Sequence, residues 1–149
     1  MELIQLSKLA LAFSTAINAV PVEGRPIGMH SFPRGACGDA SLLLGAYLVD
    51  KGIGGFEYVC GERGSKSDNT WTSYAWLQRG NCVVDLTAGQ FDDAPQDIVV
   101  ADPSEWHSTF DFGRTQEADF RLWSGYGAEM LHRLYAQVQA NISLLCGDS

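Results

Sequence analysis

The chain has 149 residues, 46% of them hydrophobic and 19% charged, with a mean hydropathy close to zero. That is the length of about one domain, and the composition excludes an intrinsically disordered chain and a coiled coil. Eighteen acidic against ten basic residues leave a net charge of −8, which repels phosphate backbones, so no nucleic-acid partner is expected. No apolar run reaches the roughly 20 residues of a membrane span, so no membrane partner is expected either. A single domain over residues 1–149 can bury about 68–70% of its unfolded surface and needs no metal or disulfide staple.

Leu3, Leu6, Ala10, Phe13, Ile17 and Val20 follow steps of three and four, which predicts an amphipathic first helix. No basic segment precedes its apolar stretch, so a folded helix and a cytoplasmic location are expected instead of a secretion signal. Pro21 to Pro26 breaks the helix and forms a loop. A second helix begins near Ala36 or Cys37, runs through Leu42, Leu43, Leu44, Tyr47 and Leu48, and ends at Lys51-Gly52. The period then changes. Phe56–Cys60, Thr70–Leu77 and Cys82–Leu86 read as strands, Glu62 to Asn69 as a polar loop, and Asp97–Val100 as a possible fourth strand. Pro103 to Gly125 carries scattered aromatics, from Trp106 to Trp123, and has no clear period; its expected role is to cover the sheet. A last helix runs from about Gly127 to Leu145. Helices, a small sheet and a further helix make the fold class α+β.

The four cysteines, Cys37, Cys60, Cys82 and Cys146, show no zinc-type spacing and are expected to be reduced thiols. Cys60 and Cys82 lie in strand-like segments where they could meet across a sheet. Neither a phosphate-cradling loop nor a dinucleotide motif is present, so no cofactor is expected.

With a two-residue turn at Arg79-Gly80, the second and third strands pair Leu77 with Cys82, Trp76 with Val83 and Tyr74 with Asp85. Opposed Cβ atoms lie about 4.5–5.5 Å apart, which sets an aspartate beside a tyrosine in an apolar strand. A carboxylate among Val83, Val84 and Leu86 must find donors, face water at a sheet edge, or serve a site. Cys37, between small residues at a helix start, is the second signal. A helix N-terminus lowers a thiol pKa, and its N–H groups can receive an oxyanion.

Phe32-Pro33, Cys37-Gly38, Ser41-Leu42-Leu43, Tyr74-Ala75-Trp76-Leu77, Val84-Asp85-Leu86-Thr87 and Gln90-Phe91 resemble the bacterial transglutaminase-like branch of the papain-like fold, over about residues 30 to 110. The resemblance implies a cysteine-bearing helix packed on a small antiparallel sheet of about four strands. It also implies acyl transfer through a thioester: peptide or amide hydrolysis, deamidation or transamidation. Cys37 matches the nucleophile and Asp85 the orienting acid, while Gly35, Gly38 and Trp76 line the cleft. The position of the family's histidine is held by Tyr74. A phenol with a reference pKa near 10 is a poor general base and forms no imidazolium, although its hydroxyl can donate to Asp85.

Three histidines could substitute. His30 lies seven residues before Cys37 and could line the cleft. His107 follows the fourth strand, resembles a Trp-His element of the group, and is placed in a short helical turn capped by Asp102-Pro103-x-Glu105. His132 lies in the last helix, at the surface. Arg34, Glu62 and Arg63 are expected to be solvated. Two functions follow: a cysteine hydrolase or amide acyl-transferase, or a catalytically inactive module that binds a protein or peptide partner through the same cleft.

Overall fold

In a computed structural model that describes residues 3–122 and 128–145, three helices and five strands form an α+β arrangement. Helix α1 (Leu3–Asn18) buries Leu6, Ala10, Phe13, Ala16 and Ile17, the stripe expected from its period. Its C-terminal end is closed by Arg25. This buried guanidinium donates to the carbonyls of Asn18, Val20 and Met29, where a cation suits the negative end of the helix. Helix α2 (Cys37–Asp50) is buried at every residue from Ala40 to Leu48, as a helix apolar on all sides must be. Burying Leu43, Leu44 and Leu48 contributes roughly 1.5–3 kcal/mol each. The helix ends at Lys51 and Gly52, where it was expected to.

Strands β1 (Glu57–Arg63), β2 (Thr72–Arg79), β3 (Cys82–Asp85), β4 (Val99–Ala101) and β5 (Asp111–Glu117) pair antiparallel in the order β4-β3-β2-β1-β5. The sheet therefore has five strands, not about four. The added one, β5, lies in the stretch that showed no period, and a bulge at Cys60/Gly61 interrupts its pairing with β1. Helix α3 (Ala128–Leu145) packs against α1, with Asn141 donating to the carbonyl of Ala16. Of the last-helix and aromatic assignments, Trp123, Gly125 and Gly127 lie outside the described residues, as does Cys146.

The register corrects the expected one. Leu77 pairs with Val84, Gln78 with Val83 and Arg79 with Cys82, so the turn is Gly80-Asn81 and not Arg79-Gly80. Gly80 has φ of +59°, and a glycine with positive φ at the first turn position suits a type II′ hairpin. The slip is two residues, so every side chain keeps its face. Leu77, Cys82 and Val84 face the helices in the main core. Val59, Tyr74, Trp76, Val83 and Phe110 form a second, aromatic core, against which Phe91, Trp106 and Cys37 pack. Gly61 is needed there, since a Cβ on it would meet the Trp76 ring at 2.7 Å.

No disulfide forms between Cys60 and Cys82. Cys60 is exposed opposite Ala75, Cys82 is buried opposite Arg79, and both are free, as is Cys37. Among the described residues, no helix is long and apolar enough to cross a membrane.

Candidate functional site

Asp85 is the centre of the site. Strand β3 lies between β4 and β2, so the aspartate is not at a sheet edge facing water; it is 2% exposed. Its charge is met by donors from three segments. The Tyr74 hydroxyl lies 2.7 Å from Oδ1 and 2.8 Å from Oδ2, the Thr87 N–H 2.9 Å from Oδ1, and His107 Nε2 2.7 Å from Oδ2. Tyr74 and Asp85 are not directly opposed, as the expected register had them. The phenol reaches the carboxylate diagonally, a span that a long aromatic side chain covers.

The single Tyr74 proton goes to Asp85, and the oxygen lies 2.7 Å from the Thr87 hydroxyl. Burial first, and then the adjacent carboxylate, push the phenol far above its ordinary pKa. It stays protonated at physiological pH and cannot take a proton from a thiol.

Cys37 opens α2 as the sequence predicts. Gly35, with φ of +68°, turns the chain into the helix, and its N–H donates to Gln90 Oε1 at 3.4 Å. Gln90 in turn donates to the carbonyl of Thr87, so the loop before Cys37 is strapped to the end of β3. Gly38 leaves room for Tyr58, whose hydroxyl would lie 3.3 Å from an added Cβ; burial pushes that phenol up to about 12. The half-buried Cys37 thiol receives hydrogen bonds from the main chain of Ala75 and Gly38. These lower its pKa, but burial outweighs them and the Asp85 charge adds to the rise. Burial thus works against the lowering expected from the helix N-terminus and pushes the thiol above its ordinary pKa, which favours the neutral form at pH 7.

His107 does belong to the Asp85 cluster, but it does not serve Cys37. The ring is 1% exposed, and both nitrogens are used: Nε2 with Asp85 and Nδ1 with Ser104 Oγ at 2.6 Å. Its short 3₁₀ turn, His107–Thr109, is capped by Ser104 and not by Asp102; Ser104 Oγ accepts the His107 N–H at 3.3 Å. The spacing Ser-x-x-His was the signal for this contact. Edge-to-ring packing on Trp76 and Trp106 holds the imidazole in place. Trp76 itself is fully buried, with its indole N–H donating to Gln78.

His30 is not in the site. It is exposed, and its Nε2 bonds to the carbonyl of Arg25 at 2.8 Å. His132 is exposed and contacts the Phe120 ring. Arg63 departs from its expected solvation. Its guanidinium lies over the rings of Phe110, Trp106 and Phe91, 4.6–5.5 Å from their centroids, and pairs in bidentate fashion with Asp93. Arg63 holds the Asp93 carboxyl below its ordinary range. Arg34 and Glu62 are exposed as expected. Sequence reading gave no role to Ser104 and missed the aromatic seat of Arg63; it quoted Thr87 beside Asp85 without its part in holding the carboxylate.

No protein-family model, curated protein or solved structure matches this chain.

Proposed function

We propose that the region around Cys37 and Asp85 is a transglutaminase-like, papain-related site that has exchanged turnover for recognition, and that it binds a protein or peptide segment. The observation that carries the reading is the Tyr74–Asp85 bond. The acid that would orient a base is bound by a phenol that cannot act as one, and the thiol beside it stays neutral. The order of elements supports the kinship: a cysteine at the start of a buried helix, then Tyr74 and Asp85 on neighbouring antiparallel strands. A peptide fits the net charge of −8 better than a nucleic acid does.

One observation favours a second reading, in which the same cleft is a cysteine hydrolase or amide acyl-transferase. The Cys37 sulfur meets main-chain donors from Ala75 and Gly38, which favour the thiolate that acts as nucleophile. Tyr74→His distinguishes the two. If only the base is missing, iodoacetamide labelling of Cys37 at pH 7 rises by about 10²-fold or more in the variant, matching the usual worth of a positioned base. If wild-type protein already labels that fast, the cleft is an enzyme's and the binding reading fails.

A further inference from the structure

We propose that Ser104, His107 and Asp85 form a second acyl-transfer site, built on a serine, that accepts short acyl esters or amides. The inference does not rest on the reading of the Cys37 cleft. It starts from proton positions. Asp85 accepts from the Thr87 main chain and the Tyr74 hydroxyl, two donors that favour its carboxylate form, and a carboxylate accepts the 2.7 Å bond from His107 Nε2–H. A neutral imidazole then carries its lone pair on Nδ1. Ser104 Oγ lies 2.6 Å from that lone pair, which makes the serine hydroxyl the donor. Nucleophile, base and orienting acid are thus bonded in line, the arrangement that activates a serine.

Ser104 is 9% exposed and borders a cavity. This cavity of about 180 Å³ is lined by Ser104 and His107, with Val83 and Pro103 as apolar wall and the Gln78 and Asn81 side chains beside them. It is smaller than the pockets that hold drug-sized ligands, which limits the acyl group to a short one. Cys37 does not line it.

The step balances within these residues. Ser104 Oγ attacks the carbonyl carbon while its proton passes to His107 Nδ1. The tetrahedral adduct collapses, the bond to the alcohol or amine breaks, and the leaving group takes that proton. Water then attacks the acyl-serine, giving its proton to Nδ1. Release of the carboxylic acid returns the proton to Oγ.

The test treats the folded full chain with diisopropyl fluorophosphate and maps the adduct by mass spectrometry. One phosphoryl adduct on Ser104 is expected, formed about 10²-fold or more faster than on an unactivated serine. It should be absent in Ser104→Ala and suppressed in His107→Gln, with folding checked by circular dichroism. Turnover of p-nitrophenyl acetate should fall in Ser104→Ala. Absence of a Ser104 adduct in folded wild-type protein overturns the proposal. So does labelling that persists unchanged in a folded His107→Gln variant; if that variant does not fold, the wild-type mapping decides alone.

Discussion

The two oxygens of Asp85 keep different company. The Tyr74 hydroxyl touches both, at 2.7 and 2.8 Å, but Oδ1 also takes the Thr87 N–H, whereas Oδ2 takes the His107 imidazole. On the first side the partner is a phenol that only donates, and the nearby thiol stays protonated. On the second the partner is an imidazole that the carboxylate orients toward the Ser104 hydroxyl. The thiol is held protonated mainly by burial, with the carboxylate charge adding to it, while the same carboxylate orients the imidazole bonded to Ser104. What differs between the two is the intervening group: a phenol that only donates on one side, and an imidazole with a second ring nitrogen on the other.

Removing the shared acid breaks both sides and has the largest effect. Asp85→Ala leaves buried donors from Tyr74, Thr87 and His107 without an acceptor, and we expect a loss of about 3–5 kcal/mol in urea unfolding. A loss below 1 kcal/mol would mean that water replaces the carboxylate. Tyr74→Phe separates the sides. It removes one donor while His107 and Thr87 remain, so a cost of about 1–2 kcal/mol is expected, with labelling at Ser104 kept. Loss of that labelling in a folded variant would show that the two sides are one unit.

The alkaline limb sharpens the comparison. Burial raises the pKa of Cys37 and Tyr74, so the folded protein holds their protons more tightly than the unfolded chain does. Their contribution is present in full below the ordinary thiol and phenol pKa values, near 8.5 and 10, and is lost as pH rises beyond them. Urea midpoints should fall from about pH 9 upward, less steeply above pH 10 in Tyr74→Phe. A parallel decline in both proteins would remove Tyr74 from the account. The smallest effect expected is in Arg63→Ala, about 1 kcal/mol from the lost cation–π contacts, since the half-exposed pair with Asp93 adds little. A neutral result in thermal melting would mean that the aromatic seat is self-sufficient.

Much of this was legible before the structure. The helices were, because α1 and α3 keep a helical stripe and α2 is apolar all round. The Tyr74–Asp85 contact survived a wrong turn because a two-residue slip preserves the face of every strand residue. Gly80 can serve either turn; the choice between Arg79-Gly80 and Gly80-Asn81 is made by φ, which residue types alone do not display. Strand β5 was hidden because Asp-Phe-Gly-Arg-Thr-Gln-Glu is mostly polar and pairs through a bulge. The setting of Cys37 was only half legible: a helix N-terminus and burial act in opposite directions on a thiol, and the extent of burial is visible only once the chain is packed. His107 could be placed near the site, but its partner Ser104 is set by a three-residue turn too short to leave a period.

The central claim is that Cys37 is held neutral beside a phenol-bound acid, and the rate of its alkylation against pH tests it most directly. Iodoacetamide labelling of wild-type protein, read at Cys37 by mass spectrometry between pH 6 and pH 10, should run slower than a model thiol and show an apparent pKa above the free-thiol value of about 8.5. Fast labelling at pH 6–7, with an apparent pKa well below that value, would contradict the account and make Cys37 an active nucleophile.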